Sequence, residues 1–132
     1  VRGAAALAAV VLLGACAGAK HVTPVGELPE KRVCIIENPK VMHDVAGALR
    51  RALEQRGYAV EVVPAATATG ACPVTARYVA FWRWDLVLYV AHAEIRVYKS
   101  GNPAGRAVYQ ARGARRGGDS VMKELVDDLF KP

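Results

Sequence analysis

The sequence predicts an α+β domain in the order β-α-β-β-β-β-α, with two helices on one face of a mainly antiparallel sheet. Three observations predict it. Two stretches, 40–56 and 121–129, place apolar residues at helical spacing. The run "ARYVAFWRWDLVLYVAHAEIRVYKSG" is β-branched and aromatic, and long enough for two strands. Strands cluster between the helices rather than alternating with them, which is the α+β pattern.

Each element has its local reason. Arg32–Glu37 is a short β-branched run ended by Asn38-Pro39. Asn38 is a good N-cap and Pro39 a good first helical residue. From Lys40 onward Val41, Val45, Leu49 and Leu53 define an apolar face, with Arg50, Arg51, Glu54 and Arg56 opposite, and Gly57 suits the C′ stop. Tyr58–Pro64 is the second strand, and "AATATGACPV" is a loop that delivers Cys72. Strands follow at Arg77–Arg83 and Leu86–Lys99, then the turn "SGNPAG" and a strand at Arg106–Arg112. After the loop "GARRGG", Asp119 or Ser120 caps a helix with Val121, Met122, Leu125, Val126 and Leu129 on one face.

The 132 residues make one domain plus an N-terminal segment. The net charge of +6 is unevenly placed: Arg96, Lys99, Arg106, Arg112, Arg115 and Arg116 follow one another without an acid, while the last helix carries Glu124, Asp127 and Asp128. Such a stretch suits anionic lipid headgroups. No nucleic-acid module signature accompanies it, so a solvated loop and strand edge is favoured and nucleic acid is not expected.

Arg2 is the only charge before Lys20, and 3–19 is an uncharged apolar run. That is the layout of a secretory signal, and it is short and Ala/Gly-rich for a membrane span. It ends in "LGAC", with Leu13, Gly14 and Ala15 before Cys16. This resembles a bacterial lipobox. The resemblance implies a diacylglyceryl group on the Cys16 thiol, cleavage before Cys16 and acylation, as palmitate, of the new amine. Residues 1–15 are then the signal peptide, 16–30 a lipidated cysteine with a flexible tether, and 31–132 the domain. More than one acyl chain gives stable anchoring. Ala17 rather than Asp after the cysteine implies, by the enterobacterial sorting rule, the outer membrane, with the domain facing the periplasm.

With Cys16 lipidated, Cys34 and Cys72 remain as a pair in an oxidising compartment, and a disulfide is the economical reading. Metal binding lacks the CxxC or CxxH spacing. A nucleophilic cysteine needs a basic neighbour and a reduced state.

Cys34, Asn38-Pro39, Gly57-Tyr58, Cys72, Tyr78, Trp84-Asp85-Leu86 and Tyr109 together resemble a family of small proteobacterial lipoproteins, over roughly Arg32 to Phe130. These marks are structural, so the resemblance implies a lipoprotein with a periplasmic α+β domain and transfers no active site. The order of elements is also similar to small envelope lipoprotein domains that serve as assembly or adaptor subunits.

Polar candidates are scattered. His92 and Glu94 alternate onto one strand face and could be half a metal site, but no third ligand is evident beside them or beside His21 and His43. His43-Asp44 lacks a hydroxyl in a nucleophile-elbow context, and no carboxylate pair can be placed. No enzyme, metal or cofactor is therefore expected, apart from the covalent lipid on Cys16.

The richest strand gives a sharper expectation. With Ile95 and Val97 facing the helices, strict alternation puts Ala93, Ala91, Tyr89 and Val87 on the same inner face. Leu86, Leu88 and Val90 then fall on the uncovered face, with Trp82 and Trp84 extending it from the preceding strand. An apolar surface of that kind marks a contact site, and Trp is common at hot spots. The expected function is a membrane-anchored envelope module that binds a protein partner or itself through this surface. The alternative is a binding module for a lipid or other small apolar ligand between sheet and helices, where Ala91 and Ala93 leave room.

Overall fold

Six strands and two helices form in the computed structural model, which describes residues 19–131. The leader at 1–15 and the lipid attachment at Cys16 lie outside the described residues. In chain order the elements are β1 (Ala19–Thr23), β2 (Arg32–Ile36), α1 (Val45–Gln55), β3 (Ala59–Val63), β4 (Val74–Asp85), β5 (Val87–Lys99), β6 (Asn102–Gln110) and α2 (Gly118–Leu129). They make one sheet in the order β1-β6-β5-β4-β2-β3. The β1/β6, β6/β5 and β5/β4 pairs are antiparallel, while β2 lies parallel to both β3 and β4. The class is the expected α+β, with α1 as the crossover that joins two parallel strands.

The core follows the apolar stripes. Val45, Ala48, Leu49, Ala52 and Leu53 of α1 are buried with Val121, Met122, Leu125, Val126 and Leu129 of α2. They meet Val33 and Ile35 of β2, Val74, Ala76 and Tyr78 of β4, and Ile95 and Val97 of β5. α1 stops at Arg56, and Gly57 follows in the left-handed region at φ 86°. The β5–β6 turn narrows to Ser100-Gly101, both at positive φ, so β6 starts at Asn102 rather than Arg106.

The start of α1 corrects the sequence reading. Asn38 does not cap a helix. Its N–H donates to the Tyr78 hydroxyl (3.0 Å) and its side-chain amide donates to the Tyr78 carbonyl (3.1 Å). A tertiary partner has taken the residue that the local code offered to the helix. Asp44 caps instead, its carboxylate accepting from the Gly47 N–H at 2.9 Å.

The tether is also corrected. Within 16–30, Ala19–Thr23 is a sheet strand, in register from Ala19↔Gln110 to Thr23↔Arg106. The next residues stay docked, since Val25 is buried and its N–H donates to the Leu129 carbonyl at 2.9 Å. "AKHVT" has little apolar period because β1 is held by the backbone ladder and by charge. Lys20 pairs with Glu124 (3.1 Å) and with Asp128, both on α2.

That charge pairing makes β1 sensitive to acid. Lys20 holds the Asp128 carboxyl below its ordinary value, and Arg116, then Lys20, do the same for Glu124. A carboxylate lowered on folding contributes stability above its unfolded pKa and loses it as the pH falls through the lowered folded value. Lys20 is raised, chiefly by Asp128, so its share persists below its unfolded pKa and is lost only as the pH rises through the raised value, on the strongly alkaline side. Acidification below the ordinary carboxylate range should therefore release β1 before the centre of the sheet. The check is amide-exchange protection against pH: His21 and Thr23, whose N–H groups face β6, lose protection while Ile95 and Val97 keep it. Simultaneous loss at all four counts against this account.

Candidate functional site

The β4–β5 hairpin is where the expected contact residues gather, and one irregularity decides how they point. Phe81 pairs with His92, but Trp82 pairs with Val90, so Ala91 is an extra residue on β5. This bulge flips the phase of β5. Before it, Ala93, Ile95 and Val97 face the helices. Beyond it, Val90 and Leu88 take that face, opposite Trp82 and Trp84.

The five predicted contact residues therefore separate. Val90 is fully buried in the core, and its N–H donates to the Arg116 carbonyl at 2.9 Å. Trp82 is half-buried against the core, with His43 edge-on at 4.7 Å between ring centroids. The chain at Gly118 closes its socket, where an added Cβ would sit 3.1 Å from Trp82 Cη2. Val90 is thus corrected from surface to interior, and Trp82 from the uncovered face to a half-buried place on the helix side. The helices stop covering the sheet at this point. Trp84 is 72% exposed, Leu86 80% and Leu88 42%, and Val87 and Phe81 are exposed beside them. Trp84 and Leu88 are direct cross-strand partners, so their side chains form one patch. Leu86 turns the hairpin at φ 61°.

Other segments reach the same end of the sheet. The loop before α1 brings exposed Met42 and, at φ 65°, His43. The segment after β6 brings Arg112, Arg115 and Arg116. Arg115 pairs with Asp85 on the hairpin, and Arg116 pairs with Glu124 and lies over the Tyr109 ring. Arg83 and Arg112 have no ion-pair partner among the described residues.

The opposite face of the sheet holds an open groove of about 460 Å³, lined in part by Asn38, Lys40, Arg77, Glu94, Arg96 and Tyr98. Arg77, Arg96 and Arg106 stand side by side across β4, β5 and β6. Glu94 answers two of them: Arg106 donates to it at 2.8 Å and Arg96 also pairs with it. Arg106, then Arg96, hold its carboxyl below the ordinary range.

His92 shares this face with Glu94, as alternation predicts, but Glu94 is committed to the arginines and His92 lies against Phe81. His43 packs on Trp82 while Asp44 caps α1. No three His, Cys, Asp or Glu side chains come together to hold a metal among the described residues. The Cys34–Cys72 disulfide is formed. It pins the 64–73 loop onto the sheet beside Thr75, whose hydroxyl donates to the Thr69 carbonyl at 2.7 Å. Among the described residues, no helix is long and apolar enough to cross a membrane.

Alternation alone could not reveal the bulge. The one sequence signal is a change in bulk, with Val90 large and Ala91 small where strict alternation asks the reverse of a core face.

No protein-family model matches the chain, and no curated protein matches it. Solved structures are similar to it in fold. A variant PelC dodecamer from Paraburkholderia phytofirmans is 16% identical over 85% of this chain and 95% of its own, with a TM-score of 0.58. A second PelC dodecamer structure from that organism is 14% identical over 87% of this chain and 100% of its own, at 0.59. A minor lipoprotein from Acinetobacter baumannii is 14% identical over 78% of this chain and 92% of its own, at 0.45.

Proposed function

We propose that the protein is a lipid-anchored module of the bacterial envelope that acts by contact rather than catalysis, with the β4–β5 hairpin end as its contact surface. The observation that carries this is the exposed patch of Trp84, Leu86, Val87 and Leu88 on a hairpin whose base is fixed by buried Val90. Apolar side chains left in water on an ordered element mark a surface that is covered in use. Anchoring at Cys16, on the outer membrane with the domain in the periplasm, belongs to the same reading and rests on the lipobox.

Two observations favour this reading over an apolar-ligand carrier. The space between sheet and helices is filled by Ile35, Leu49, Leu53, Met122 and Leu125, all fully buried. The groove of about 460 Å³ lies on the other face, with Glu37, Lys40, Arg77, Glu94 and Arg96 in its lining.

The test is site-specific photocrosslinking in intact cells. A benzophenone amino acid in place of Leu86 should give adducts, and the same probe at exposed Glu54 on α1 should give none. Leu86 without adducts overturns the reading.

A further inference from the structure

We infer that the hairpin end is a second membrane contact, seated in the surface of the bilayer that holds the protein's own lipid anchor. The inference deepens the proposed function by naming what the tip touches, and it rests on the reading of Cys16 as lipidated.

The argument is one of chain geometry. Ala19 pairs with Gln110, Gln110 with His92, and His92 with Phe81, so these four residues form one row across the sheet. β1 enters that row from the side on which the hairpin projects, because Lys20 and the residues after it pair progressively further from the tip. Cys16 precedes Ala19 by three residues, which can span at most about 11 Å. Leu86, the turn residue just past β4, lies five residues beyond Phe81, about 16 Å along the strand direction. β5 is only two strands from β1, about 10 Å to the side. Acyl chains on Cys16 therefore bring the membrane surface no further from the sheet than the tip itself reaches. The domain cannot stand clear of the headgroups unless β1 peels off β6, and the Lys20 pairs with Glu124 and Asp128 oppose that.

The chemistry of this end fits a bilayer surface. Trp84 and Leu88 form an apolar patch on one side of the hairpin, Val87 and Leu86 cap it, and Trp is favoured at the lipid–water boundary. Arg115 pairs with Asp85 on the hairpin, and Arg83 near the end of β4 and Arg112 after β6 add positive charge at the same end of the sheet, which suits anionic headgroups.

The experiment uses the full lipidated protein in vesicles of phosphatidylethanolamine and phosphatidylglycerol, with brominated acyl chains as the quencher. Trp82 and Trp84 are the two tryptophans, and Trp82 is half-buried against His43 and Gly118. Wild-type fluorescence should be quenched, and the quenching should be lost in Trp84→Phe, a surface change that leaves the fold intact. Wild-type emission that stays unquenched and water-like overturns the inference. Blue-shifted but unquenched Trp84 emission also overturns it and assigns the tip to a second copy of the chain. The anchor is checked separately by the intact mass of the membrane-extracted protein beside Cys16→Ser. Absence of a diacylglyceryl mass overturns the lipidation reading, whereas a lipidated protein with an unquenched Trp84 overturns the tip contact alone.

Discussion

Removing the Cys34–Cys72 bridge should lower the unfolding temperature by about 15 °C, from about 4 kcal/mol of lost stability. The bridge closes a loop of 38 residues that contains α1 and β3. In the chain-entropy model that closure restricts the unfolded ensemble far more than the folded one. Locally, Cys34 is fully buried on the face of β2 away from the helices, and the 64–73 loop that carries Cys72 covers it. Paired Cys34→Ala and Cys72→Ala substitutions free that loop and weaken the cover over Thr75. The measurement is thermal unfolding by circular dichroism of oxidised, reduced and doubly substituted protein. Reduced and doubly substituted protein should agree. A change of less than about 4 °C, the equivalent of roughly 1 kcal/mol, would show that the loop is held without the bridge.

The second large effect is a contrast between two residues four apart on one hairpin. Val90→Asp should cost several kcal/mol, enough to remove most folded protein from a domain of ordinary marginal stability. Val90 is fully buried as part of the apolar core, where a carboxylate would have no water. Leu86→Asp should change stability by no more than about 0.5 kcal/mol, because the side chain is exposed and Asp tolerates the left-handed backbone at this turn. Soluble yield and urea unfolding read both. Strict alternation through Ala91 would instead put Val90 on the open face and make its substitution mild.

That contrast marks where the sequence stops being legible. Both helices and five strands follow from periodicity and turn chemistry, because their apolar stripes face one core. The Cys34–Cys72 pairing follows once Cys16 is set aside. β1 was hidden because its ladder uses backbone atoms and Lys20 rather than an apolar stripe. The start of α1 differs from the one its local code suggests because Asn38 has a second use: the Tyr78 main chain and hydroxyl, forty residues away, satisfy it. The tryptophans share one face, but it is the helix side of the sheet rather than the open side expected, and helix packing ends between them, half-burying Trp82 and leaving Trp84 outside. Where a helix stops covering a sheet depends on tertiary geometry, which local spacing does not encode.

The pairing of β1 with β6 has a mechanical consequence. The bonds that hold β1 to β6 run across the axis of β1, so a chain pulled at Ala19 along that axis meets them side-on. Tension applied through that chain loads the whole five-residue ladder in shear at once instead of unzipping it bond by bond. The Lys20 contacts to α2 act as a second catch. An edge strand that looks like a weak polar tail in the sequence is placed as a clamp, so that a tug at the N-terminal end is resisted at the sheet rim before it reaches the core.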